Sequence, residues 1–114
     1  MDNPHAWIKE FPAAITVCDK DAMVIEMNDK AISTFARYGG ERLIGTSLYD
    51  CHPPHACEKI RTMLQDGKPM AYTIQRSGLR KMIYQQPWYQ DGILAGLVEI
   101  SIELPDEMPH YDRN

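Results

Sequence analysis

The sequence predicts an α+β domain in which two short strands are followed by helices and then by three closely spaced strands. Three patterns predict it: strand-like runs at residues 13–27, apolar residues at helical spacing after them, and strands separated by turn signals from residue 70 onward. A chain of 114 residues fits one domain with a modest core. We expect an arm at residues 1–12, a folded domain at 13–104 and a disordered tail at 105–114.

The first two strands are predicted at residues 13–19 and 23–27, because both runs are rich in apolar and β-branched residues. Lys20 and Asp21 form the turn between them. Asn28 follows the second strand, and its side chain is suited to accept a hydrogen bond from the first turn of a helix. We therefore expect Asn28 to join the hairpin to a helix.

Two helices are predicted between the hairpin and the remaining strands. The first has an apolar stripe and is expected to run for about three turns before Gly39 and Gly40 end it; the stripe is Ala31, Ile32, Phe35 and Ala36. The second is predicted at residues 54–65, because Pro54 suits a helix start and Gly67 suits a helix end.

Three strands are predicted at residues 70–76, 79–89 and 93–104. Ser77-Gly78 and Asp91-Gly92 are hairpin signals between them. Pro87 cannot donate to a strand ladder, so a bulge or a frayed pairing is expected near it. In the last strand one alternating set is expected to face the core: Leu94, Gly96, Val98, Ile100, Ile102 and Leu104.

This order of elements resembles the PAS domain, a small sensory and signalling module. The resemblance lies in Asp19 before the first turn, Asn28 at the strand–helix junction, residues 43–47 (Leu-Ile-Gly-Thr-Ser) and residues 92–100. It implies a five-stranded antiparallel sheet with short helices covering one face. Ala22 stands where the family usually has a glycine, so we expect a wider or different first turn.

The resemblance implies a cytoplasmic sensory domain that binds a small ligand or cofactor, mediates protein–protein contacts, or does both. The signalling partner acts in trans or belongs to a longer parent chain; the sequence leaves open whether the chain is complete. Guided by the resemblance, we expect the following side chains to line a ligand cavity: Phe35, Ile44, Leu48, His52, Ile60, Met63, Tyr72, Ile74, Met82, Tyr84, Val98 and Ile100.

A first alternative is a homodimerisation module without a ligand, whose interior is packed core. Trp7, Ile8 and Phe11 lie at helical spacing in the arm, and the last strand carries an apolar line on the side opposite the expected core set. The expected dimer surface combines the two groups: Trp7, Ile8, Phe11, Ile93, Ala95 and Leu97.

A second alternative is a haem, metal or redox sensor built on Cys51, His52, His55 and Cys57. Thiolate and imidazole suit zinc, copper or iron, but this spacing does not match the common structural zinc sites. If the cluster has no such role, Cys51 is a buried side chain and His52 or Asp50 caps the following helix.

The identity of any cofactor stays open in the sequence. The resemblance places His52 and His55 in the region from which haem-binding PAS domains take their axial ligand. A flavin photosensor is disfavoured, because Cys51 lacks the Asn-Cys-Arg run of that branch.

Composition excludes several other functions. A net charge of −4 and a pI near 5.5 argue against nucleic-acid binding. No apolar run is long enough to span a bilayer, and three cysteines without a signal segment indicate reduced thiols in the cytoplasm. The sequence has no phosphate-binding loop or nucleophile–base motif, so we expect no enzymatic activity.

Overall fold

Five antiparallel strands form one sheet in the order β2–β1–β5–β4–β3 in the computed structural model, which describes residues 4–114. The strands are β1 (Ala14–Asp19), β2 (Val24–Met27), β3 (Met70–Arg76), β4 (Leu79–Gln90) and β5 (Ile93–Leu104). Two helices, α1 (Asp29–Thr34) and α2 (Pro54–Asp66), connect β2 to β3. The predicted fold class is confirmed. Residues 1–3 of the predicted arm lie outside the described part of the chain.

The hairpins at β3–β4 and β4–β5 close where the sequence predicted. Ser77 and Gly78 have φ angles of 53° and 78°, and Asp91 and Gly92 have φ angles of 52° and 80°. Two successive residues with positive φ are typical of the tight turns that match the twist of a hairpin. The irregularity expected near Pro87 is present as a register shift just after Trp88.

Asn28 fastens three segments of the chain together. Its Oδ1 accepts hydrogen bonds from the amides of Ala31 (3.1 Å) and Ile15 (2.9 Å), while its Nδ2 donates to the carbonyls of Ala13 (2.8 Å) and Ile8 (3.1 Å). The residue is buried. The predicted cap is confirmed, and the same side chain also ties the N-terminal segment and β1 to the start of α1.

The first helix is shorter than the three turns predicted. It ends at Thr34, where the hydroxyls of Ser33 and Thr34 both donate to the carbonyl of Lys30. Such hydroxyls compete with the helical backbone for its acceptors. The chain continues as 3-10 turns at Ala36–Tyr38 and Gly40–Leu43, with Gly39 at φ 123° between them.

The second helix follows its prediction at both ends. It begins at Pro54 and ends before Gly67, which adopts a left-handed conformation with φ 69°. Its buried face consists of Cys57, Ile60 and Met63. Neither α2 nor any other helix in residues 4–114 has the length and hydropathy to cross a membrane.

The two faces of β5 are reversed relative to the prediction. Leu97 is only 7% exposed and packs with Cys18, Ile60 and Met63, and Ser101 pairs with the buried Ala14. The helix-covered inner face of β5 therefore carries Leu97, Glu99 and Ser101. Val98, Ile100, Ile102 and Leu104, which were predicted for the core, lie half-buried on the outer face, whereas Gly96 of the same set is buried and Leu94 lies near Gly67. Alternation reveals two faces, but it does not say which one the helices cover when both carry apolar residues.

The first turn accommodates Ala22 where a glycine was expected. Ala22 takes a left-handed conformation with φ 64°, and its side chain is fully buried. Asp19 supports the turn, because its Oδ1 accepts hydrogen bonds from the amides of Asp21 (2.9 Å) and Met23 (3.0 Å).

Candidate ligand cavity between the second helix and the sheet

A cavity of about 380 Å³ lies between α2, the segment that precedes it, and the inner face of the sheet. Ile60 and Met63 of α2 form one wall. Thr16, Gln85 and Glu99 belong to the sheet side, and much of the remaining lining is apolar: Val24, Met27, Phe35, Leu43, Leu48 and Leu97. The arrangement is an apolar enclosure with a few polar groups, as in small-molecule sites.

The structure brings half of the predicted cavity residues together around this space. The six are Phe35, Leu48, His52, Ile60, Met63 and Val98. Val98 borders the cavity between Leu97 and Glu99, although strand alternation directs its side chain to the outer face. Tyr72 lines an adjoining cavity of about 510 Å³, which shares five residues with the first: His52, Ile60, Met63, Gln85 and Glu99.

Five predicted residues lie away from both cavities. Met82, Tyr84 and Ile100 are on the outer face of the sheet, because the inner face of β5 is the one with Leu97 and Glu99. Ile74, on the edge strand β3, is opposite Lys81, and Ile44 is an exposed residue of the loop before α2. The three on the outer face were expected around the cavity because the two faces of β5 were predicted the wrong way round.

The polar residues on the sheet side of the cavity, called the polar floor below, were not predicted from the sequence. Thr16, Gln85 and Glu99 occupy alternating positions on strands, a pattern that resembles a solvent-facing set. The available signal was on β1, where Ala14 and Cys18 flank Thr16 on the same side and are small enough for closely packed helices. That pattern identifies which side of β1 faces the helices, and strand pairing then identifies the corresponding side of β5.

Gln85 and Glu99 form a cross-strand pair on this floor. Gln85 Nε2 donates a hydrogen bond to Glu99 Oε2 at 2.7 Å. The charge of Glu99 also influences Tyr72 on β3: burial raises the pKa of the Tyr72 hydroxyl, and the negative charge of Glu99 raises it further. The floor is therefore a negatively charged region of an otherwise apolar site.

His52 is the histidine that lines the main cavity. Its Nδ1 lies 2.7 Å from the carbonyl oxygen of Leu48. Because a carbonyl oxygen only accepts hydrogen bonds, Nδ1 carries the proton and Nε2 of the neutral ring keeps its lone pair. His55 lines only the adjoining cavity. Of the two predicted haem ligands, His52 is the better placed.

The predicted cluster of cysteines and histidines is divided by the start of α2. Cys51 is exposed, whereas Cys57 is buried and its thiol lies 3.4 Å from the carbonyls of Tyr49 and His52. Within residues 4–114, no group of three or more His, Cys, Asp or Glu side chains is arranged to hold a metal ion.

Two predictions made for this cluster, in case it has no metal or redox role, are wrong. Cys51 is exposed rather than buried, and the N-cap of α2 is Pro53, without a side-chain cap from His52 or Asp50. Cys51 Sγ lies 3.3 Å from His52 Nδ1, yet desolvation raises the pKa of the thiol. A raised pKa disfavours the thiolate that reactive cysteines require.

The predicted dimer residues do not form one surface. Trp7, Phe11 and Ile93 are exposed (61%, 43% and 72%), but Leu97 belongs to the core. The arm is tied through Asn28 to the start of β1, which pairs with Ile100. Ile93 is seven residues away along β5, roughly 23 Å at the rise of a strand.

A different apolar surface is present on the outer face of the sheet. Its side chains come from β1, β4 and β5 and are at least partly exposed: Ile15, Val17, Met82, Tyr84, Val98, Ile100 and Ile102. Apolar patches of this extent are typical of contact surfaces.

Comparison with known families gives one match. The sequence model of the family described as PAS fold matches residues 8–70, which is more than half of the chain. Comparison with curated proteins finds no match.

Several solved structures share the fold. A C-terminal domain from Streptococcus mutans superposes with a TM-score of 0.68 at 21% identity, covering 84% of this chain and 78% of that one. The PAS domain of histidine kinase ThkA gives 0.64 at 20% identity, with 79% and 97% covered. The Aer2 receptor from Vibrio cholerae, described as a dual PAS-haem oxygen sensor, gives 0.64 at 12% identity, with 82% and 95% covered. At these identities the likeness concerns the fold alone.

Proposed function

This chain belongs to the PAS fold family, and from that premise we propose that it is a sensory domain whose cavity beneath α2 binds a small molecule. The cavity of about 380 Å³ is the observation that carries the proposal. Small-molecule sites typically measure about 300–1,000 Å³ and combine apolar walls with a few polar groups. The proposal includes no catalytic step.

The contacts that hold α2 against the sheet suggest how a bound ligand would produce a signal. Its buried contacts are Cys57, Ile60 and Met63, and the last two line the cavity. A bound molecule would therefore touch the residues that hold α2 against the sheet. It would shift the equilibrium between arrangements of α2 by its differential affinity for them.

A haem is one candidate for the bound molecule. His52 lines the cavity, and the contact of its Nδ1 with Leu48 leaves Nε2 as the nitrogen that could bind iron; Aer2, which has the same fold, is described as a PAS-haem sensor. The test is reconstitution with haem, followed by the Soret band of His52→Ala and His55→Ala variants. Loss of the haem band in His52→Ala alone supports ligation by His52. An unchanged spectrum in both variants contradicts ligation by either histidine.

Native mass spectrometry of freshly purified protein, combined with a UV–visible spectrum, tests the general proposal. We expect a mass above the 13.1 kDa of the bare chain in the wild type but not in a Thr16→Leu variant, whose larger side chain fills the floor. A ligand lost during purification is sought by NMR titration with a fragment library. No bound mass and no shifts at the methyl groups of Ile60 and Met63 would contradict the proposal.

A second candidate function is homodimerisation through the outer face of the sheet, with the signal passed to a partner through the same surface. The observation in its favour is the partly exposed apolar surface around Ile100 and Tyr84. Ile100→Lys is expected to convert a dimer to a monomer in sedimentation experiments, whereas Ile93→Lys, at the far end of β5, is expected to leave it intact. A wild type that is monomeric at high micromolar concentration would exclude this function.

A further inference from the structure

One row of side chains crosses all five strands beneath the helices, and its centre is a carboxylate. Strand pairing joins Met27, Thr16, Glu99, Gln85 and Met70 in this order. Glu99 is on β5, the middle strand of the sheet, and it lines both adjoining cavities. A glutamate at this position places a negative charge where the rest of the enclosure is mostly apolar.

The charge of Glu99 has a neutral partner but no basic one. The hydrogen bond from Gln85 engages Oε2, and none of the ion pairs found in residues 4–114 includes Glu99. Of the basic side chains near it, His52 lines both cavities, while His55 and the exposed Lys59 line only the adjoining one. A carboxylate out of bulk water is stabilised when it is paired, and it has room for about four hydrogen bonds.

Aromatic side chains complete the recognition site. Phe35 lines the same cavity as Glu99, and so does Tyr38, whose side chain is 63% exposed and has the Arg37 guanidinium 5.8 Å from its ring centre. The faces of aromatic rings attract cations, and the attraction grows when the cation is desolvated. A carboxylate, the Phe35 ring and aliphatic walls together favour a cation with an apolar body.

We propose that the cavity selects a small organic cation, a protonated primary amine on an apolar body, and that Glu99 recognises its charge. Gln85 holds the carboxylate in place, one oxygen of Glu99 accepts from the ammonium group, and the apolar body lies against Leu48 and Met63. This inference rests on the proposed function, because it names the class of molecule that the cavity takes.

Matched pairs of amines and alcohols test the inference by NMR titration. The probes are phenethylamine, hexylamine and tryptamine, each compared with its neutral counterpart 2-phenylethanol, hexan-1-ol or tryptophol, at a pH at which the amines are protonated. We expect at least one amine to bind the wild type at least about tenfold more tightly than its alcohol. In Glu99→Gln this preference is expected to fall below about twofold, because the substitution keeps the shape and removes the charge.

Glu103→Gln is the matched control. It removes the same charge from β5 but lies outside both cavities, where Glu103 pairs with Lys30, so the preference is expected to remain. Glu99→Asp, which keeps the charge but withdraws it by one methylene, replaces Glu99→Gln if that variant does not fold, and a reduced preference is expected.

Four outcomes overturn the inference. If every alcohol binds as tightly as its amine, or if Glu99→Gln retains the preference, charge recognition is refuted and the proposed ligand cavity still stands. A preference lost equally in Glu103→Gln refutes the role of Glu99, because net charge alone then explains it. Failure of every amine and every alcohol to bind refutes the inference, and the proposed function is then decided by the native mass spectrometry and fragment titration described above.

Discussion

The two helices cover the same face of the sheet, but they are held in different ways. At α1, the fully buried Ala31 packs against Ala14, Val24 and Met27, the last two of which also line the cavity, and Asn28 ties the helix start to β1. At α2, the helix begins with a proline cap that makes no side-chain hydrogen bond, and part of its inner face borders a cavity.

This difference separates a fixed part of the domain from a responsive one. A buried polar side chain with every group satisfied specifies a single arrangement, because each broken hydrogen bond carries a full desolvation cost. Apolar contacts beside a cavity are less specific and allow the helix to settle in more than one position. Under the proposed function, the α1 side is the scaffold, and the α2 side is the part that a bound ligand would move.

Replacement of Asn28 is expected to have the largest effect. Asn28→Ala leaves the amide of Ile15 and the carbonyl of Ala13 without their side-chain partners and removes the cap of α1. We expect a loss of about 3–5 kcal/mol in the free energy of unfolding, measured in urea. Ser47→Ala, which removes the cap of the turn before α2, is expected to cost about 1 kcal/mol or less. Equal losses would contradict the division into two parts.

The same enlargement at two positions on β1 compares the two sides directly. Ala14 and Thr16 point to the same face, but Ala14 is packed under α1 and Thr16 lines the cavity. Ala14→Leu overfills a packed site and is expected to cost about 1–3 kcal/mol. Thr16→Leu has space above it and is expected to change the stability by less than about 1 kcal/mol. A Thr16→Leu variant that is the less stable of the two would show that the cavity is not a usable space.

A smaller effect is expected at the junction of β1, β4 and β5. Trp88 Nε1 donates to the carbonyl of Cys18 at 2.9 Å, and its indole lies over Gly96, where a Cβ would collide with that carbonyl. Trp88→Phe leaves the carbonyl without this donor, at a cost of about 1–2 kcal/mol in urea unfolding. Trp7→Phe, at an exposed position, is expected to stay within about 0.5 kcal/mol. A Trp88→Phe variant as stable as Trp7→Phe would show that the hydrogen bond from Trp88 to Cys18 does not stabilise the fold.

The smallest effect concerns alkaline pH. Burial raises the pKa of the Cys18 thiol above its ordinary value of about 8.5. The unfolded chain then releases this proton at a lower pH than the folded one, so stability is complete below the unfolded pKa and declines as the pH rises toward the folded value. Unfolding free energies at pH 8 and 10 should decline more in the wild type than in Cys18→Ala. A decline of the same size in both proteins would show that Cys18 does not contribute to the loss of stability at alkaline pH.

Local signals in the sequence predicted the strands, the Asn28 cap and the bounds of α2, but not the length of α1 or the cap of α2. The glycine turns at residues 78 and 92, the Asn28 cap and the two ends of α2 depend on residues whose backbone preferences act over a few positions. These turn and cap predictions need no knowledge of which layers pack against each other. The cavity residues were expected from the resemblance to the family instead, and six of them lie around one cavity.

The reversal of β5 shows what local signals leave undetermined. Val98, Ile100 and Ile102 are more apolar than Glu99 and Ser101, yet the second set lies beneath the helices. The covered face is decided by long-range pairing with β1, whose small Ala14 and Cys18 admit the helices. Glu99 and Gln85 were missed for the same reason, because a carboxylate under a helix breaks the rule that polar positions face solvent.

Native-state hydrogen exchange followed by NMR tests the division between scaffold and responsive part most directly. The opening free energies of the amides of Ile60 and Met63 in α2 are compared with those of Phe35 and Ala31, whose amides bond to Ala31 and Asn28 at the α1 side. We predict that the α2 amides exchange through local openings well below the global free energy of unfolding, while those at α1 exchange close to it. Equal opening free energies for the two helices would contradict the account.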